Sequence, residues 1–121
     1  MFELMTAQEV LNTMAAHLLK QGKKSIDADS AVCRYRSKDG LKCAVGALLT
    51  NEEYRPEMEG HNVGYIEYIL PQRLVAHLEL IRSGQRVHDD HPVDSWPSEL
   101  RALAERLRLE VPEGCRSGSG A

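Results

Sequence analysis

Apolar residues recur at helical spacing near both ends of this 121-residue chain. Near the start, Thr6-x-x-Glu9 has the pattern of a capping box, in which the two residues bond reciprocally at a helix N-terminus. The apolar positions that follow are three or four residues apart as far as Gly22, which predicts a helix that ends there. A second amphipathic helix is predicted to begin at Asp94 or Ser95. Its predicted buried stripe is Leu100, Leu103, Ala104 and Leu107.

The pattern between these two helices is less regular. Residues 63–70 alternate weakly and fit either a helix or a strand. Pro71 suits the first turn of a further helix, and Ser83-Gly84 predicts the end of that helix or a bend in it. Residues 87–92 are predicted to be a loop.

The central stretch predicts a strand followed by a tight turn. Cys33 and Tyr35 alternate with arginines, as in a half-buried strand, and Asp39-Gly40 is a strong turn pair. A three-residue loop that ends at Gly40 sets Tyr35 opposite Cys43 and keeps the apolar residues on one face. We therefore expect Gly40 to have a positive φ, which glycine adopts without a side-chain clash.

After this turn the sequence fits either a second strand or a short buried helix that begins near Cys43. Gly46 lies in this segment, and glycine costs about 1 kcal/mol in a helix relative to alanine. We therefore expect a neighbour to pack tightly against it. The predicted fold class is α+β with helices dominant, in which four to five helices surround a short two-stranded antiparallel hairpin.

Composition predicts one compact domain in a reducing compartment. With 42% hydrophobic residues, the chain can bury a core without disulfide or metal staples. We expect residues 1–111 to form this domain and residues 112–121 to be a disordered tail that carries Cys115. A net charge of −3 gives no general attraction to nucleic acid, and no stretch approaches the ~20 apolar residues that span a membrane. The odd number of cysteines, without framework spacing, fits free thiols in the cytoplasm.

The string CRYRSKDGLKCAVGALLTNEEYRPEMEG resembles a family of small uncharacterised proteins from bacteria and tailed phages. The matching positions are Cys33, Tyr35, Arg36, Gly40, Leu41, Lys42, Cys43, Ala44, Gly46, Glu53, Tyr54, Pro56, Met58, Glu59 and Gly60. The family also tends to carry a His-Asp pair and a Trp, as at His88, Asp89 and Trp96 here. The resemblance implies no assigned activity. It implies a phage or prophage setting in a bacterial host cell, and so a part in phage–host conflict.

Two sets of residues are candidates for chemistry. A metal site would take Cys33, Cys43, His88 and His91, because thiolate and imidazole suit zinc, but the spacings are not those of known zinc motifs. A hydrolase would use Cys43 as nucleophile with His88 and Asp89, although no motif of a cysteine hydrolase surrounds them. Structural roles, such as buried cysteines and a capping aspartate, explain the same residues, and we expect no cofactor.

Charged side chains on the predicted hairpin and in loops are the candidates for binding a partner. They are Arg34, Arg36, Glu59, His61 and Asp90. A nucleic-acid-binding regulator would instead use Lys20, Lys23, Lys24, Arg34 and Arg36. Small size, acidic balance, the absence of a catalytic signature and the phage resemblance favour a non-enzymatic protein that masks a partner protein, such as an inhibitor of host defence. The small metal-dependent or Cys/His hydrolase and the nucleic-acid regulator are the alternatives, and the sequence leaves a homodimer open.

Overall fold

The computed structural model describes residues 5–26, 33–61 and 63–115 of the chain. The helices are α1 (Ala7–Gln21), α2 (Ala44–Leu48), α3 (Val63–Ile66), α4 (Gln72–Val75), α5 (Leu78–Asp90) and α6 (Trp96–Arg106). Short 3-10 turns lie at Pro56–Met58, Glu67–Ile69 and Val93–Ser95. Helices α1, α2 and α5 pack against one another, and α6 packs on α5 and α1. The core therefore lies between the long helices, with α2 inserted among them.

Helix α1 forms as its sequence predicts. The Thr6 hydroxyl accepts the N–H of Glu9 and the Glu9 carboxylate accepts the N–H of Thr6, so the capping box is confirmed. At the other end, Gly22 has a φ of 69°, and its N–H bonds to the carbonyl of Leu18. Both ends of α1 are thus set by local chemistry. Its core face consists of Val10, Leu11, Met14, Ala15 and Leu18.

The predicted two-stranded hairpin is wrong, because no β-strand forms in the part of the chain that the structure describes. Arg36 and Lys42 make an isolated antiparallel bridge, in the register of the predicted three-residue loop. Gly40 has the expected positive φ, 87°. Pairing stops there because Cys43 caps helix α2, and its Sγ accepts the N–H of Gly46 at 3.4 Å. The described residues are therefore helical rather than α+β.

Gly46 permits the turn to close onto α2. A Cβ at this position would lie 1.9 Å from the carbonyl oxygen of Tyr35, far inside van der Waals contact. The expectation that something packs tightly against Gly46 is confirmed, and the neighbour is backbone. The same carbonyl accepts the N–H of Cys43 at 3.2 Å, which holds the turn against the start of the helix.

The helix predicted from Pro71 is divided into α4 and α5. Helix α5 ends later than the sequence predicts. It continues through Ser83-Gly84 and includes most of the segment that was expected to be a loop. Gly84 faces α1, where an added Cβ would lie 2.6 Å from the sulfur of Met14. The glycine therefore marks a close contact between helices rather than a helix end. As a consequence, His88 and Asp89 project from the last turn of a helix.

The chain after α6 returns across α1. The Gln8 side chain pairs with Glu110, since its amide donates to the backbone carbonyl and its oxygen accepts the backbone N–H. Cys115, which was expected to be an unstructured thiol, is buried. Residues 116–121 of the predicted tail lie outside the described residues. No helix of the described residues has the length and apolar character required to cross a bilayer.

Candidate functional site

Three of the singled-out residues meet beside the last turn of α5. Ligand atoms of Cys33, His88 and Asp89 lie within 4.8 Å of one another. His88 is fully buried, whereas the Asp89 side chain is 35% exposed. The ring of His88 lies 5.6 Å from that of Trp96, centroid to centroid, so α5 and α6 meet at this histidine. The cluster joins a residue of the central segment to two residues of α5.

Both ring nitrogens of His88 already have partners. Its Nδ1 lies 2.7 Å from Oδ1 of Asp89, and its Nε2 accepts the backbone N–H of Ser25 at 2.8 Å. Because Nε2 accepts a bond, the neutral ring carries its proton on Nδ1 and donates it to the carboxylate. A general base needs a free lone pair that faces a substrate. His88 has none, and its geometry is that of a structural link between α5 and the segment that follows α1.

A metal does not fit this donor set. Coordination through Nδ1 would move the ring proton to Nε2, where it would point at the N–H of Ser25. Two of the four predicted ligands lie elsewhere. Cys43 is buried as the cap of α2, and His91 lies 3.6 Å from Glu99 at the surface. The structure brings together only Cys33 and His88 from the predicted metal set.

The cysteines are not activated nucleophiles. Burial raises the pKa of Cys43 to about 12, which leaves almost no thiolate at neutral pH. Burial also raises the pKa of Cys33, and the charge of Asp89 and a hydrogen bond to its carboxylate raise it further. In a catalytic Cys–His pair the imidazole lowers the thiol pKa. Here the carboxylate stands between thiol and ring and has the opposite effect.

Replacing Asp89 by asparagine should therefore make Cys33 more reactive. The substitution Asp89→Asn removes the negative charge, so the pKa of Cys33 falls and the thiolate fraction at mildly alkaline pH rises. We expect iodoacetamide to alkylate Cys33 several-fold faster than in wild type, as measured by peptide mass spectrometry. Asp94→Asn, at an exposed position outside the cluster, is the control and should leave the rate unchanged. A wild-type Cys33 that reacts faster than a free cysteine peptide would contradict this account.

A cavity of about 440 Å³ opens next to this cluster. Three of the predicted partner-binding residues line it, namely Arg34, Glu59 and His61, together with Cys33 and Asp89. Further lining residues are Tyr35, Gly60, Val63, Arg82, Gln85 and Arg86. The cavity thus lies between α5 and the loop that follows the 3-10 turn Pro56–Met58.

Glu59 has a structural role in the cavity wall. Its carboxylate accepts the backbone N–H groups of Tyr35 and Arg36 at 2.9 and 3.1 Å and the hydroxyl of Tyr54 at 2.6 Å. Arg34 adds an ion pair at 3.6 Å. These partners occupy the carboxylate and fix the loop to the central segment, so Glu59 is not available to a ligand.

The remaining charged candidates divide between bonded and exposed side chains. Arg36 donates to Asn51 and to the carbonyl of Leu49, and its guanidinium lies 5.0 Å from the ring centre of Tyr54. Lys24 donates to the carbonyl of Asp89. The exposed ones are Lys20, Lys23 and Asp90. Because Arg36 and Lys24 bond within the protein, the set proposed for nucleic-acid binding is not a free basic surface.

Sequence reasoning missed an exposed apolar segment. Among the described residues, the large apolar side chains with substantial exposure are Tyr65, Tyr68, Ile69 and Val75. Tyr68 is 90% exposed and Tyr65 is 65% exposed, with its ring stacked on His61 at 3.9 Å. The sequence carried a weak signal, since residues 63–70 held more apolar side chains than one buried face of a short helix accommodates.

Arg82 and Arg86 were also missed, because sequence reasoning treated the second half of α5 as a bend and a loop. One helical turn apart, they lie on the same side of α5 and line the cavity.

Comparison of the chain with protein-family models, with curated proteins and with solved structures gave no match in any of the three.

Proposed function

We propose that this protein is a non-enzymatic binding protein that masks a surface of a partner protein. The observation that carries the proposal is the segment from α3 to α4, which holds Tyr65, Tyr68, Ile69 and Val75 in exposed positions. Large apolar and aromatic side chains grouped on a surface mark protein interaction sites, and tyrosines are frequent energetic anchors. The resemblance of the central segment to phage proteins favours a host-defence protein as the partner class.

The chemistry of the Cys33 cluster supports binding over hydrolysis. A hydrolase needs a nucleophile and a base with a free lone pair. The thiol pKa values of Cys33 and Cys43 are raised, and both ring nitrogens of His88 are bonded within the protein. Cys33 and His88 connect the segment between α1 and α2 to α5, and Cys43 caps α2. These structural roles explain the three side chains without a reaction.

Site-specific photo-crosslinking tests the proposal. A photoreactive phenylalanine analogue at position 68 is expected to form a covalent adduct with one bacterial protein, whereas the analogue at position 12, which is exposed on α1, should not. Ile69→Asp should abolish the adduct, because a charge in the anchor region must be desolvated on binding. The activity of the crosslinked partner should fall when wild-type protein is added and should not fall with the Ile69→Asp variant.

Two results would contradict the proposal. Equal adducts from positions 68 and 12 would show that capture is unspecific. A crosslink between two copies of this chain, together with a dimer in sedimentation that Ile69→Asp dissociates, would assign the segment to self-association.

A further inference from the structure

We propose that the cavity beside α5 binds a small phosphate-bearing ligand through Arg82 and Arg86. This site borders the exposed segment from α3 to α4, because Val63 and His61 line the cavity and His61 stacks on Tyr65. The inference does not depend on the protein-binding proposal. The cavity volume of about 440 Å³ is within the ~300–1,000 Å³ range of small-molecule sites. Its size fits a small ligand better than a strand of nucleic acid.

The guanidinium groups of Arg82 and Arg86 have no bonding partner among the described residues. Both side chains are exposed, and neither guanidinium group has an ion pair or a hydrogen bond within residues 5–26, 33–61 and 63–115. By contrast, Arg34 pairs with Glu59, Arg73 with Glu53, and Arg106 donates to Ser83. Like charges four residues apart on a helix repel, and an anion between them relieves that repulsion. Arg82 and Arg86 are thus placed to converge on one anion.

Among the described residues that line the cavity, three arginines outnumber two carboxylates, so the net charge of the lining is positive. Glu59 is occupied by two backbone N–H groups, the Tyr54 hydroxyl and Arg34. Asp89 accepts from the His88 ring and from the Gln85 amide. The guanidinium groups remain as the cationic groups that a ligand meets.

Phosphate matches these groups better than other anions. A guanidinium group donates two parallel N–H bonds to the oxygens of phosphate or carboxylate, and the tetrahedral phosphate offers enough oxygens for two such groups. At the rim, His61 is exposed and its ring already stacks on Tyr65. A planar group attached to the phosphate would extend this stack. The simplest ligand with both parts is a nucleoside monophosphate.

Isothermal titration calorimetry at low salt tests this, with adenosine monophosphate, inorganic phosphate and citrate as probes. We expect saturable binding of adenosine monophosphate and weaker binding of phosphate. The Arg82→Gln/Arg86→Gln double variant should lose at least about tenfold in affinity for both, because it removes the charge-assisted bonds. The variant should fold, since both side chains are exposed. Arg55→Gln, at an exposed position that does not line the cavity, is the matched control and should bind as wild type does.

Three results would overturn the assignment: no saturable heat with any probe, affinity unchanged in the double variant, or citrate binding as tightly as adenosine monophosphate. The Ile69→Asp variant separates this inference from the protein-binding proposal. It should keep phosphate binding while it loses the protein crosslink, and a loss of both would mean that the cavity and the exposed segment are one site.

Discussion

Replacement of Gly46 by alanine is expected to destabilise the protein by about 3 kcal/mol or more. The added Cβ would lie 1.9 Å from the backbone oxygen of Tyr35. That oxygen is held by the N–H of Cys43, so relief of the clash requires the turn to move away from α2. Alanine has the better helix propensity by about 1 kcal/mol, and this gain is too small to offset the clash.

Chemical denaturation of Gly46→Ala and Gly84→Ala provides a matched comparison. The added Cβ at position 84 would also meet a close neighbour, but that neighbour is the flexible end of Met14, whose sulfur would lie 2.6 Å away. We expect the Gly84 variant to lose about 1 kcal/mol, since the methionine can change its rotamer. Equal losses for the two variants would show that the Tyr35 carbonyl is not a fixed wall.

Local sequence patterns predict the parts of the fold in which the hydrogen-bonding partners are close together in the chain. The capping box of Thr6 and Glu9, the left-handed Gly22 and the positive φ of Gly40 all depend on residues within a few positions. The tight contact at Gly46 was also predictable, because a buried glycine in a helix costs stability unless a neighbour needs the space. These features position α1 and the turn before α2.

The hairpin was mispredicted because two local preferences compete at Cys43. The residues on both sides of Gly40 have the register of a hairpin, and Arg36 does pair with Lys42. However, Cys43 is also able to cap a helix of small residues, which buries Ala44 and Val45 against the core. The burial of a helix between α1 and α5 outweighs the extension of a two-stranded ribbon, which is marginal in water.

The end of α5 was mispredicted because its buried face includes polar residues. Gln85 and His88 appear hydrophilic in the sequence, yet both are buried. Each is buried at low cost because it has partners, since Gln85 accepts the N–H of Val45 and His88 accepts that of Ser25. These partners are 40 and 63 residues away in the chain, so no local pattern reveals them. Cys33 and Asp89 are also far apart in the chain, so no local pattern predicts their contact.

Replacement of His88 by leucine is expected to cost about 2–4 kcal/mol of unfolding free energy. Leucine retains an apolar side chain beside Trp96, but it leaves the N–H of Ser25 buried without an acceptor. An unsatisfied buried donor costs about 1–3 kcal/mol, and the lost bond to Asp89 adds to this. Thermal and urea unfolding measure the change. His91→Leu is the control, because that histidine is partly exposed and its contact with Glu99 is a surface pair worth about 0–1 kcal/mol.

The variant His88→Gln distinguishes a structural histidine from a functional one. The glutamine side-chain oxygen reaches about as far as Nε2 and accepts the N–H of Ser25, so we expect this variant to recover part of the stability that leucine loses. Glutamine has no titratable ring, and any hydrolytic activity that depends on His88 would vanish in both variants alike. If the stability of His88→Leu equals that of wild type while its partner binding or an activity is lost, the residue acts on a ligand and the link to Ser25 is incidental. A structural tie between α5 and the segment that follows α1 requires a different result. His88→Leu should lose stability, and His88→Gln should recover part of it and bind the partner as wild type does.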